Sequence, residues 1–185
     1  MTDTWTQGQK NNHKLKNIYI NATSQAAIFV GGSITKIANL GVTGEISSKG
    51  TEVAGISVGG GVSLIENCWN KAEIYGNSTY AGGTGTYAAG ICTQSSKVKN
   101  CYNMGNVTND RATPGGTAGG IVAHWRGGIV ENCYNTGNIT GKYYAGGIVG
   151  LATTGVRNCY NIGNINGSQA GRNRRFEWRA FRKLC

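Results

Sequence analysis

Four times along the chain an aromatic residue stands between a cysteine and an asparagine: Cys68-Trp69-Asn70, Cys101-Tyr102-Asn103, Cys133-Tyr134-Asn135 and Cys159-Tyr160-Asn161. Flat rings set in a row can stack on the faces of sugars, and the same row can simply order a strand on a protein surface. Two residues before each of these cysteines the charge alternates, as Glu66, Lys99, Glu131 and Arg157. A pair of carboxylates is what polysaccharide cleavage needs, whereas alternating signs also describe a solvated charge ladder. The cysteines offer metal ligation, disulfide formation or plain burial. Which of these chemistries is open depends on how the backbone places the residues.

The placement follows from a repeat. NCYNMGNV at 100–107, NCYNTGNI at 132–139 and NCYNIGNI at 158–165 are near copies, NCWNKAEI at 67–74 is looser, and NLGVTGEI at 39–46 is degenerate. The opening asparagines Asn39, Asn67, Asn100, Asn132 and Asn158 lie 28, 33, 32 and 26 residues apart, and the closing aliphatic always follows by seven. Two residues before each opening asparagine stands Ile37, Ile65, Val98, Val130 or Val156, and further upstream stands Ile28, Ile56, Ile91, Ile121 or Ile148. The stretches around these columns are short, rich in Ile, Val, Tyr, Thr and Asn, and bounded by Gly, with no amphipathic helical run. A spaced repeat of this kind predicts an all-β chain, a right-handed parallel β-helix (β-solenoid) of about five rungs. Stacking at about 4.8 Å per rung gives a rod of roughly 25 Å. Gly105, Gly137, Gly163, Gly120 and Gly147 fit corners that need positive φ or close backbone approach. The spacing from closing aliphatic to next isoleucine is 10, 17, 14 and 9 residues, so loops are expected to bulge at 75–90 and 108–120.

In such a stack the four cysteines share one column, and Leu40 fills it in the first rung. Leucine neither ligates nor oxidises, so the column reads as buried, reduced thiols acting as small hydrophobes, with a cross-rung disulfide as the alternative. No C-x-x-C pair suggests zinc, and nothing implies a cofactor. Glu66 and Glu131 fall two rungs apart, near 10 Å, with a cation between them. That separation is at or beyond the edge of what glycosidases use, which favours a charge ladder and leaves no catalytic residue to name. The asparagine columns at 67, 100, 132, 158 and at 70, 103, 135, 161 are expected to bond along the rod as amide ladders.

Period-two alternation sends Trp69, Tyr102, Tyr134 and Tyr160 outward if the thiols face inward. They form either a sugar-binding platform or a surface-ordering ladder. Tyr75, Tyr80 and Tyr87 in the first long loop, and Asp110 with Arg111 in the second, are weaker candidates for ligand contact. The column after the closing aliphatic reads Ser47, Tyr75, Thr108, Thr140 and Asn166, too irregular for an ice-binding array. His13 and His124 stand alone, with no metalloprotease, nucleophile-elbow or phosphate-loop motif.

The formal net charge of +10 is unevenly spread. Residues 18–171 carry only +3, and the last fourteen residues carry +5. A basic patch belonging to the fold is not evident, which argues against a nucleic-acid partner. Residues 1–17 are polar, with neither a hydrophobic signal region nor a membrane-inserting span. Residues 18–171 hold the repeats. The tail at 172–185, RNRRFEWRAFRKLC, abandons the pattern. Permissible codons for it, read one base on, give GIVGLNGEHSGNC, which matches GIVGLATTGVRNC at 147–159 in length, opening and ending. The tail is therefore expected to be the next rung translated out of frame. Neither end carries a cap, so the chain reads as a fragment of a longer solenoid, with end-to-end self-association expected.

The unit AGGIVGLATTGVRNCYNIGNING at 145–167 resembles the GLUG-motif repeat family, whose units read roughly GGLVG, a variable turn, then NCYxxGxVxG. The likeness spans about residues 26–170. It implies a bacterial origin, a β-helical module in secreted or cell-surface proteins, and association with adhesins and with non-catalytic regions of some IgA-cleaving metallopeptidases. No catalytic residues come with it. The expectation is a structural or adhesive module, extracellular or on the bacterial surface, whose partner is a host glycan or extracellular protein. A carbohydrate-active β-helix enzyme and a passive spacer without a ligand are the alternatives.

Overall fold

A computed structural model describes residues 13–78, 85–111, 115–125, 127–152 and 155–170. Among them the regular elements are strands, all paired in parallel, stacked as a β-solenoid of about five turns. The tail at 172–185, with its expected change of frame, and most of the polar segment 1–17 lie outside the described residues. The repeat register holds to the last described pair, Ala145 opposite Ala170.

One rung shows the plan. From Asn100 the chain runs along a long face through Tyr102–Asn103 and Val107–Asn109, turns into a second wall at Gly116–Gly119, a third at Val122–Trp125, and a fourth at Ile129–Glu131. The next rung begins at Asn132. Every expected column is in register: Val98 lies between Ile65 and Val130, and Val107 between Ile74 and Ile139. These columns, with Ile56, Ile91, Ile121 and the inward thiols, form one continuous buried core. Stacking like side chains in register removes the apolar columns from water without any helix to cover them.

The corner between fourth wall and long face is made by the opening asparagine. Asn39, Asn67, Asn100, Asn132 and Asn158 all adopt φ between 50° and 57°. Asparagine is the residue other than glycine that tolerates this left-handed region at least cost. Glycines of the repeat serve a different end. A Cβ at Gly137 would strike the carbonyl of Gly105 one rung below, and a Cβ at Gly120 would strike the side chain of Asn135 and the carbonyl of Gly147. Close approach, and not positive φ, is what fixes glycine there.

The third wall returns against the outward side of the second. A small second cluster of Ala27, Ala54, Val58, Ala89 and Ala123 fills the gap, with Tyr87 packed on it. A Cβ on Gly119 would meet Val122 and Ala123, so the fold-back depends on the second glycine-rich doublet of the repeat. The solenoid also begins earlier than residue 18. The strand His13–Ala22 pairs with Leu40–Ser48 from its first residue, and a one-residue bulge between Leu15 and Ile18 carries Asn17 at φ 53°.

Candidate functional site

The long face is a nine-residue run in which inward and outward residues alternate without a break. In residues 68–76 the buried set is Cys68, Asn70, Ala72, Ile74 and Gly76, and the outward set is Trp69, Lys71, Glu73 and Tyr75. Residues 101–109 and 133–141 repeat the alternation, and 159–167 repeat it with more exposure at the last rung. Four outward columns result, all in parallel register, so the face is a flat grid of side chains about 20 Å across.

The first column holds the predicted aromatic residues. Trp69 and Tyr102 stack at 6.2 Å between centroids, Tyr102 and Tyr134 at 4.9 Å, and Tyr134 and Tyr160 at 5.3 Å, with ring planes within 9° of parallel. The indole of Trp69 lies over Gly41, its partner in the rung below. The rings therefore cover one another's faces and present edges and hydroxyls to solvent. Burial and the flanking phenols Tyr102 and Tyr160 push the Tyr134 hydroxyl up from its ordinary range. At the far end of the column Tyr160, 56% exposed, has no described ring against its outer face. This geometry changes the mode of contact from the face-stacking platform expected of separate rings to a ridge of edges.

The remaining candidates separate. Tyr75 lies in the strand Glu73–Gly76 and Tyr87 in Thr86–Ala89, so neither is on a loop. Tyr75 is on the long face, where its hydroxyl meets Asp110 at 3.5 Å. Tyr87 is on the second wall, stacked on His124 at 4.9 Å. Tyr80 lies outside the described residues. Asp110 and Arg111 differ in setting: Asp110 pairs with Lys142 at 3.0 Å, while Arg111 is buried. Strands thus take up part of each expected bulge, at Glu73–Gly76, Thr86–Ala89, Val107–Asn109 and Gly116–Gly119, and residues 79–84 and 112–114 lie outside the described residues.

Glu131 accepts from Lys99 at 2.8 Å and from Arg157 at 3.1 Å, with Lys97 at 3.9 Å. Glu66 is held by Lys36 at 2.6 Å. Lys99 stands in register between the two carboxylates, so they form part of a charge ladder and do not face a common cleft. The column thiols are free: each donates to the carbonyl two residues earlier, as Cys101 does to Lys99 at 3.1 Å. Burial pushes the Cys92 thiol up, and burial with hydrogen bonds to Cys133 and Cys68 holds Cys101 well up. The reading of buried, reduced thiols fits this geometry, and no disulfide joins the column. Among the described residues no three His, Cys, Asp or Glu side chains converge for a metal ion, and no helix is long and apolar enough to cross a membrane.

A concavity that the repeat did not point to lies where the third wall turns into the fourth. It is lined by Gly60, Gln94, Ser95, Ser96, His124 and Gly127. The sequence signal for it is a negative one, a stretch where successive rungs stop resembling each other.

No protein-family model and no curated protein matches this chain. Among solved structures it is similar to a candidate immunoglobulin A1 protease from Bacteroides ovatus, at 25% identity and a TM-score of 0.60. The likeness covers 84% of this chain and 50% of the other, so this chain spans about half that protein's length.

Proposed function

We propose that the chain is a non-catalytic structural and adhesive module of a bacterial cell-surface or secreted protein, and that its long face docks a host glycan or extracellular protein. The observation that carries this reading is the nine-residue alternation kept in register from rung to rung, which builds a rigid flat grid in which Tyr, Asn and Thr predominate, with Trp69, Lys71, Glu73, Met104 and Ile162 among them. Such a surface offers many weak contacts at fixed spacing and little conformational entropy to lose on binding. The GLUG-like unit supports a place in a surface or secreted protein, and so does the likeness to the Bacteroides ovatus structure. The charge ladder accounts for Glu66 and Glu131 without catalysis.

A passive spacer is the second reading, favoured by one observation. Rings stacked within 9° of parallel stabilise the surface strand by themselves and need no ligand to explain them. A glycan and host-matrix binding screen separates the two. Saturable binding that is lost on changing Tyr102, Tyr134 and Tyr160 to Ala, with β circular dichroism intact, is the expected result. Absence of binding across the screen assigns the module to spacing alone.

A further inference from the structure

Along with the corner from long face to second wall, the turn from third wall to fourth is one of two parts of the rung that do not repeat. It reads GGS at 31–33, GGG at 59–61, QSS at 94–96 and HWRGG at 124–128, while the columns on either side keep their chemistry. In repeat architectures, turns that vary from unit to unit are where ligands are met, because the stacking itself does not ask for the variation.

At this turn, three successive rungs border an open recess of about 170 Å³ lined by Gly60, Gln94, Ser95, Ser96, His124 and Gly127. Its surroundings are ordered by buried polar bonds. Ser95 Oγ donates to the Val62 carbonyl at 3.0 Å, and Glu52 Oε2 accepts from Thr93 Oγ1 at 2.6 Å and from the Gly59 amide at 2.9 Å. The imidazole of His124 is 7% exposed and lies flat against Tyr87, 4.9 Å away with planes 11° apart. A glutamate thus pins the glycine turn from below, and an aromatic ring fixes the orientation of the histidine.

Among the described residues the lining supplies one carboxamide, two hydroxyls, an imidazole and glycine backbone, with no Asp, Glu, Lys or Arg. Donors and acceptors in both senses, with no charged side chain among the described lining residues, match a neutral polyhydroxylated ligand. The recess is on the scale of one sugar ring. We propose that this recess binds a single neutral pyranose, such as the terminal residue of a glycan. The site is separate from the long face and stands whether or not that face binds anything.

The test uses the full chain, labelled with ¹⁵N and titrated with the methyl pyranosides of glucose, galactose, mannose, fucose and N-acetylglucosamine. Saturable shifts of the Gln94, Ser95, Ser96 and Gly127 amides with at least one sugar are expected. Affinity should fall about tenfold or more in Gln94→Ala and in His124→Leu, and stay unchanged when Tyr102, Tyr134 and Tyr160 are changed to Ala. His124→Leu installs the residue type of Leu151, its register partner in the next rung, so the packing has a precedent in the same molecule. Silence of these four amides with all five sugars overturns the proposal, as do shifts that persist undiminished in both variants. Shifts confined to the aromatic column also overturn it, while supporting the long-face reading.

Discussion

Asn103 donates its side-chain amide to Asn135 Oδ1 at 2.7 Å, and both residues are fully buried. The bond is one link of a chain: Asn70 donates to Asn103 at 2.8 Å, and Asn135 to Asn161 at 2.6 Å. Each amide also closes its own turn, Asn103 onto the Gly105 carbonyl at 2.7 Å and Asn135 onto Gly137 at 2.8 Å. Glycines 90 and 120 leave the room these amides occupy.

Changing Asn135 to Leu leaves the Asn103 amide and the Gly137 carbonyl without their partner in a dry interior, and the Asn161 carbonyl oxygen without its partner in the half-buried last rung. The expected loss is roughly 3 kcal/mol or more, since each orphaned buried group costs about 1–3 kcal/mol. Urea unfolding followed by circular dichroism reads it. A loss under about 1 kcal/mol would mean that water reaches the ladder.

Asn132 makes a comparable side-chain bond, to Asn100 Oδ1 at 3.2 Å, but on the exposed surface and with φ at 54°. Backbone conformation therefore outweighs the hydrogen bond here. Asn132→Gly should stay within about 0.5 kcal/mol of the parent, while Asn132→Val should cost about 1–2 kcal/mol for a β-branched residue in the left-handed region. Denaturation midpoints of the two variants check the order.

The Cys92 and Cys101 thiols have folded-state pKa values raised from 9.0 by burial. A raised value means that the folded chain keeps these protons when the unfolded chain has begun to lose them. Their contribution to stability is then complete below about pH 9 and declines as pH rises beyond it. Stability measured from pH 7 to 11 should fall on the alkaline side, and Cys92→Ala should reduce that slope. In native protein at pH 8, Cys92 and Cys101 should resist a thiol-specific reagent that labels them on unfolding.

Glu131 is the shared acceptor of Lys97, Lys99 and Arg157. Glu131→Gln leaves three like charges together on one wall. A loss of about 1 kcal/mol is expected at low ionic strength, shrinking at 1 M salt as screening shortens to about 3 Å. A loss independent of salt would assign Glu131 a packing role instead.

The rungs and their columns were legible because a stacked fold repeats its side-chain demands: Ile65, Val98, Val130 and Val156 occupy one place and keep one chemistry. The amide ladders were legible for the same reason. The corner role of Asn132 was hidden, since an asparagine chosen for its backbone looks the same in sequence as one chosen for its amide. The fold-back of the third wall on the second was hidden too, because Ala89 and Ala123 meet across walls and no period links them. Counting from column to column placed Tyr75 and Tyr87 in loops, whereas strands continue past the last apolar residue through Tyr75 and resume before Ala88. Ring stacking turned the aromatic column edge-on, and only the spacing of rungs, not the identity of residues, decides that.

The buried amides and the surface amides point in opposite directions along the rod. Asn70, Asn103 and Asn135 each donate toward the following rung, while Asn158, Asn132, Asn100 and Asn67 donate toward the preceding one. From Asn67 onward a rung thus reads its neighbours by the same two handshakes, whereas Val42 occupies the buried column in the rung before. Duplication or deletion of one whole unit in a gene leaves every handshake intact, whereas loss of part of a unit breaks both. The length of such a rod is therefore free to drift by recombination in whole steps, at little thermodynamic penalty, and the variable turns travel with each step as independently tunable cassettes.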